Sequence, residues 1–229
     1  MKTVVRLVTL SLFFILLRSL SAQTSTTDEV LKNMELGNMK YPSLQANIQR
    51  RSFSAAFSDL GDPFTGKIYI LRSGNSPRRI KIDFDKPSKE YFLVEKNSFV
   101  HFYPGTKQGE TRAFTNEGQA EGECIFLGLC QSAAVIRQDY EPKVIGQETI
   151  GTIKATVLEL KSKDLKRSRG ISVIKLWLDP TKWIPVQTRI TQESGNYTEA
   201  KYSNISTAKF SESVFELKIP KDASVTTIK

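Results

Sequence analysis

Apolar positions recur along this chain with two different periods, and the change of period marks its elements. After a polar stretch at 23–27, Val30, Leu31, Met34 and Leu36 fall at helical spacing, which predicts a short amphipathic helix. Thr27 is placed to cap it, Asp28 and Glu29 suit its positive end, and Gly37 is expected to stop it before Tyr41-Pro42. From Leu44 the period drops to two. Leu44-Gln45-Ala46-Asn47-Ile48-Gln49-Arg50 alternates apolar and polar, which predicts a strand with one wet face. The theme returns over 66–72, 79–84, 91–94, 98–103, 154–160, 171–178, 186–193, 197–205 and 215–219. Glu95-Lys96-Asn97 and Ser194-Gly195-Asn196 read as turns, and the charged stretch 162–169 as an exposed loop.

One stretch, 118–138, breaks the alternation. Cys124-Ile125-Phe126-Leu127-Gly128-Leu129-Cys130 is apolar all round and Ala133-Ala134-Val135-Ile136 continues it, which predicts one or two short helices packed on or over the sheet. At least nine strands and two helical patches imply an α+β chain, mainly β, with one antiparallel sheet that curls. Such a sheet needs a cover for its apolar face.

The N-terminus carries a different signal. Lys2 and Arg6 precede the apolar run from Leu7 to Leu17, and Arg18 cuts that run well short of the roughly 20 residues a membrane helix needs. Residues 1–22 are expected to be a secretory signal cleaved after Ser21 or Ala22, with a retained N-terminal anchor as the alternative. No Cys stands at the cleavage region, so the mature chain is not expected to be a lipoprotein itself. Residues 23–229 then form one domain, with no repeat, linker or low-complexity block to divide them. Removing Lys2, Arg6 and Arg18 from the net charge of +9 leaves +6. The remaining basic residues are scattered, without the dense stripe that nucleic acid calls for, although an anionic membrane surface would attract them.

Candidate chemistry is sparse. No phosphate-binding glycine loop, GxSxG or HExxH occurs, and the one histidine, His101, lies on a predicted strand between Val100 and Phe102. Cys124 and Cys130 can pair in an oxidising compartment, given a bend between them, because six residues of regular helix would set them about 240° apart; two buried free thiols are the equal alternative. They and His101 cannot complete a tetrahedral metal site, and no cofactor is expected. Asn196-Tyr197-Thr198 and Asn204-Ile205-Ser206 match glycosylation sequons, a signal too short to weigh heavily.

Two groups of stretches are more specific. Gly66-Lys67-Ile68-Tyr69-Ile70-Leu71-Arg72, the strand from Arg79 to Pro87 and the aromatic strand from Phe99 to Pro104 follow in that order. Later come Leu176-Trp177-Leu178-Asp179, Pro185-Val186-Gln187-Thr188, Tyr202-Ser203-Asn204-Ile205 and the run from Phe215 to Pro220. Together they resemble the outer-membrane lipoprotein carriers of the LolA type and the lipoprotein-sorting proteins related to them. The resemblance implies a half-open antiparallel barrel under a helical lid and a non-enzymatic role. It further implies a periplasmic monomer that carries acylated lipoproteins from an inner-membrane ABC-type release complex to an outer-membrane receptor. The alternatives are a carrier of other lipids or glycolipids and a sensor of mislocalised lipoproteins.

On that reading Ile68, Ile70, Ile80, Ile82, Phe84, Phe102, Ile174, Leu176, Val186 and Ile190 line the acyl-chain cavity. Ile125, Phe126, Leu129 and Val135 belong to the lid, and Arg72 matches by position the arginine that tethers it. The chain departs from the pattern in about four extra residues after Arg72 and in having two cysteines within the expected lid.

Overall fold

The computed structural model describes residues 25–74, 76–95, 97–114 and 132–228. The expected signal at 1–22, and Cys124, Ile125, Phe126, Leu129 and Cys130, lie outside them.

Helix α1 (Thr27–Lys40) begins one residue earlier than the pattern suggests. Thr26 is the N-cap: its hydroxyl accepts from the Glu29 N–H at 3.3 Å, and the Glu29 carboxylate accepts from the Thr26 N–H at 2.8 Å. The helix also runs through Gly37 instead of ending there. A Cβ at Gly37 would lie 2.6 Å from the Lys182 carbonyl oxygen, so this glycine serves close approach to the chain and not termination.

The strands are β1 (Ser43–Ser54), β2 (Asp59–Leu60), β3 (Phe64–Ser73), β4 (Ser76–Lys86), β5 (Glu90–Glu95), β6 (Ser98–Tyr103) and β7 (Gln108–Ala113). After α2 (Ala133–Asp139) follow β8 (Tyr140–Ile150), β9 (Ile153–Ser162), β10 (Ile171–Leu178), β11 (Pro185–Gln192), β12 (Tyr197–Ser206) and β13 (Ser224–Thr227). They form one sheet in the order β13-β7-β6-β5-β4-β3-β1-β12-β11-β10-β9-β8, with β2 paired only to β1. Two up-and-down meanders, β3 to β7 and β8 to β12, are joined through β1, which pairs with β3 on one side and β12 on the other. The order has two ends, β13 and β8, so the sheet is not closed.

Two expectations are corrected. The sheet is antiparallel except at one edge, where β13 pairs with β7 in parallel. The strand expected at 215–219 is absent: Ser211 caps a 3-10 helix (Glu212–Phe215), and Phe215 is buried under the Arg79 guanidinium, 4.6 Å from its ring. That short helix lies on the sheet's outer face, where Lys81 Nζ donates to the Val214 carbonyl at 2.8 Å.

Cross-strand register fixes which side chains share the inner face. Ile70 opposes Ile80, Ile68 opposes Ile82, and Ile82 in turn opposes Phe92. In the other meander Leu176 opposes Leu158 and Ile174 opposes Leu160. This second half of the inner face is covered by α1 and α2, whose Val30, Leu31, Met34 and Ile136 pack into one cluster with Leu158, Leu160, Ile174, Leu176 and Leu178. Each such aliphatic side chain contributes about 1.5–3 kcal/mol on burial. Polar contacts fix the two helices in place: the Ala133 N–H donates to Glu35 Oε1, Arg137 pairs with Asp28, and the Val144 N–H of β8 donates to Thr27 Oγ1. Burial pushes the Tyr140 phenol beneath them up to about 12, so it stays neutral.

Candidate binding cavity

Among the described residues, the other half of the inner face is not filled in the same way. Between β1, β4, β5, β6 and the ends of β10, β11 and β12 lies a cavity of about 610 Å³. Its apolar wall consists of Ile80, Ile82, Phe92, Val94, Phe99, Ile171 and Ile190, with Phe53 and Tyr197 stacked at 4.8 Å between ring centres. Its polar part holds Arg50, Ser52, Asp59, Gln192, Asn196 and Thr198. The β11–β12 hairpin at this rim turns through Gly195 at φ 83°, a conformation that side chains resist. The turn is held to β1 by Asn196 Oδ1, which accepts from the Ala55 N–H at 2.9 Å. The volume falls within the range of about 300–1,000 Å³ usual for small-molecule sites.

The residues singled out in the sequence separate into four places. Ile80, Ile82 and Ile190 border the cavity, the first two as part of the core cluster of β1, β3 and β4 and Ile190 as part of the cluster under the helices. Ile68, Ile70 and Phe84 pack behind its wall in the core cluster of β1, β3 and β4. Ile174 and Leu176 lie under the helices. Phe102 and Val186 are on the opposite face, which corrects their assignment. Phe102 opposes Tyr91, whereas its neighbours Phe99 and His101 oppose Val94 and Phe92 on the inner wall. Val186 follows an irregularity beside Trp177 and Leu178 that shifts the register, so it packs with Ala155, Val157 and Trp177. In α2, Val135 is half-buried and Ile136 is the fully buried residue.

Three of the lining residues that the sequence reading leaves out, Phe92, Val94 and Phe99, are visible there as an aromatic and β-branched surplus. Arg50 is visible too, as the next inward position after Leu44, Ala46 and Ile48. Its guanidinium carbon lies 4.6 Å from the Phe84 ring centre, 4.9 Å from Phe64 and 5.5 Å from Phe92. Burial lowers its pKa, an effect that the nearby Glu90 charge opposes.

Next to this arginine is a short polar relay. Glu90 Oε2 lies 3.2 Å from His101 Nε2, Glu90 Oε1 accepts from Ser88 Oγ at 2.8 Å, and His101 Nδ1 lies 3.2 Å from the Tyr103 hydroxyl. A neutral imidazole that donates from Nε2 to Glu90 and accepts at Nδ1 from Tyr103 satisfies both contacts. Burial lowers the His101 pKa and outweighs the hydrogen bond and charge of Glu90, so the neutral form is favoured. Among the described residues, no group of three or more His, Cys, Asp or Glu is placed to hold a metal ion.

Arg72, at the far end of β3, is buried, and its Nη1 donates to the Tyr41 carbonyl at 3.5 Å. Tyr41 is the C-cap of α1, so this cation meets the negative end of the helix dipole. Its backbone N–H donates to Pro42 at 2.8 Å and fixes the same junction.

The chain matches the family model described as outer membrane lipoprotein carrier protein LolA over residues 56–218. Among solved structures it is similar to an uncharacterized conserved protein from Thermus thermophilus, at 14% identity and a TM-score of 0.55, over 88% of this chain and 98% of that one. It is also similar to a chain of the Pseudomonas aeruginosa MucA/MucB complex, at 13% identity and a TM-score of 0.51. That match covers 88% of this chain and 64% of the other. A LolA superfamily protein from Nitrosomonas europaea matches at 15% identity and a TM-score of 0.40, over 84% of this chain and 98% of its own. No curated protein matches the sequence.

Proposed function

The chain belongs to the LolA family of outer membrane lipoprotein carriers, and from that premise we propose that it is an exported, non-enzymatic carrier of acyl chains. Residues 1–22 direct export, and 23–229 act as one carrier domain in the periplasm. The cargo is a lipoprotein received from an inner-membrane ABC-type release complex and passed to an outer-membrane receptor. The observation that carries this reading is the cavity of about 610 Å³ walled by Ile80, Ile82, Phe92, Val94 and Phe99.

The physical need is large. Burying hydrocarbon is worth about 0.8 kcal/mol per methylene, so moving one long chain through water unaided costs on the order of 10 kcal/mol. A carrier offsets most of that by contact alone and requires no bond chemistry. Handover then depends on relative affinity, so the cavity must hold its guest more weakly than the final acceptor does. Arg72, joining β3 to the end of α1, is the element we assign to coupling the cavity wall to the helical cover.

The test is to purify the mature protein from its own envelope, extract what is bound and identify it by mass spectrometry. Ile82→Arg, whose long side chain can reach into the cavity, and Ile82→Trp, which occupies it, are both expected to lose the bound acyl species while remaining exported and folded. Lipid loading equal to wild type in both variants would refute the cavity. A lipid without a protein attached would keep the cavity and replace the cargo.

A further inference from the structure

Arg50 is unusual among the basic residues of this chain. Its strand places it on the inner face, at the register position opposite Phe64 on one side and Ala200 on the other, in the middle of the sheet. Three phenyl rings contact its guanidinium, and it is the one cation among the described residues lining the cavity. Among those residues no carboxylate stands within ion-pair distance of it. Glu90, the acid whose charge acts on it, already accepts from Ser88 and faces His101, while Asp59 is exposed at the rim.

A positive charge in an apolar hollow is costly unless an anion or a set of acceptors meets it. Aromatic faces offset part of that cost, and the N–H edges of the half-buried fork stay open within the cavity to water or to a ligand's oxygens. A guanidinium held by its faces in this way presents a donor pair that matches two oxygens of a phosphate. Beside it, Ile82, Phe92 and Val94 offer the apolar wall that acyl chains need. The two features lie within one cavity, so a ligand filling it would carry its anion next to its hydrocarbon.

We propose that Arg50 anchors the phosphate of an anionic lipid whose acyl chains occupy the cavity, and that the cavity therefore prefers a phosphorylated glycerolipid over a neutral one with the same chains. This rests on the acyl-chain reading above and goes beyond its lipoprotein cargo, whose diacylglyceryl group carries no phosphate.

The experiment uses the full mature chain, stripped of lipid, and displacement of a pyrene-labelled neutral diacylglycerol. The competitors are dioleoyl phosphatidate, unlabelled dioleoylglycerol and inorganic phosphate. Wild type is expected to bind phosphatidate about tenfold to hundredfold more tightly than dioleoylglycerol, the worth of a hydrogen-bonded charge pair. Arg50→Gln is expected to bring that ratio close to one by weakening phosphatidate more than dioleoylglycerol, and Arg50→Lys to keep part of it.

Equal affinity of wild type for the two lipids overturns the anchor and leaves the acyl cavity standing. Failure of both lipids to displace the probe, or of the probe to bind, overturns both readings. Inorganic phosphate binding as tightly as phosphatidate makes this a small-anion site and overturns the lipid assignment. If Arg50→Gln and Arg50→Lys weaken both lipids equally, Arg50 shapes the wall and anchors nothing.

Discussion

On the β8–β11 half of the sheet, Leu158, Leu160, Ile174 and Leu176 meet Val30, Leu31 and Met34 of α1 and Ile136 of α2. On the β4–β6 half, Ile80, Ile82, Phe92, Val94 and Phe99 face a cavity of about 610 Å³. Both halves arise from the same apolar alternation along strands, and the pattern alone does not distinguish them. Among the described residues, what differs is the covering element. The helices bring aliphatic side chains at van der Waals distance to one half, and the other half has an arginine flanked by aromatic rings. A period of two therefore states which way a side chain points, while the occupant of the space it points into is decided by remote parts of the chain.

The largest expected effect tests that contrast directly. Leu158→Ala removes packed atoms under the helices and should cost about 2–5 kcal/mol. Phe99→Ala removes a ring that lines the cavity and is only half-buried, so fewer dispersion contacts are lost and the cost should fall at or below the lower end of that range. Urea unfolding of the two variants measures the difference. Equal losses would mean that the β4–β6 half is packed as fully as its counterpart.

Arg72 sits at the seam of the two halves, with its strand in one and its hydrogen-bond partner at the end of α1, in the other. At 3.5 Å the bond to the Tyr41 carbonyl is at the long limit, so its loss in Arg72→Leu should cost no more than about 1–3 kcal/mol. The rate at which bound lipid passes to acceptor vesicles should change more than the thermal midpoint does. A collapse of the midpoint with an unchanged transfer rate would make Arg72 a structural residue.

The same contrast explains what can be read from residues alone. Strands β6 and β10 match their expected limits, 98–103 and 171–178, because turns or loops bound them on both sides. Strand β7 escapes a reading by pattern since Gln108-Gly109-Glu110-Thr111-Arg112-Ala113 has no apolar alternation. It is held by partners on both sides, β6 and β13. Strand β8 escapes it because Pro142 argues against a strand interior, yet at the edge of a sheet the missing N–H costs little. Phe102 is assigned to the wrong face because Phe99, Val100, His101 and Phe102 are apolar or aromatic on both sides, which erases the alternation. Arg50 falls on the inward parity of β1, but its charge, next to that of Arg51, suggests solvent. Only the fold brings Phe64, Phe84 and Phe92 around it from three other strands.

The smallest expected effect concerns pH, and the chain's one histidine confines it to the hollow half. His101 stacks on Phe92 with 3.8 Å between ring centres and faces Glu90, Glu110, Tyr103 and the Arg50 charge. Burial holds its folded pKa below the ordinary value of 6.5. The unfolded chain therefore binds more protons than the folded one as pH falls through 6.5, and stability drops with it. Above about 6.5 this contribution is fully present; it is lost as pH falls through the lower folded value, with a slope of at most about 1.4 kcal/mol per pH unit. His101→Gln, which keeps a side chain able to donate to Glu90, should flatten that part of the profile. Urea midpoints collected between pH 5 and 7.5 for both proteins give the difference. Parallel profiles would mean that the imidazole gains as much from Glu90 as burial takes away, and that the wall of the cavity is wetter than its apolar residues imply.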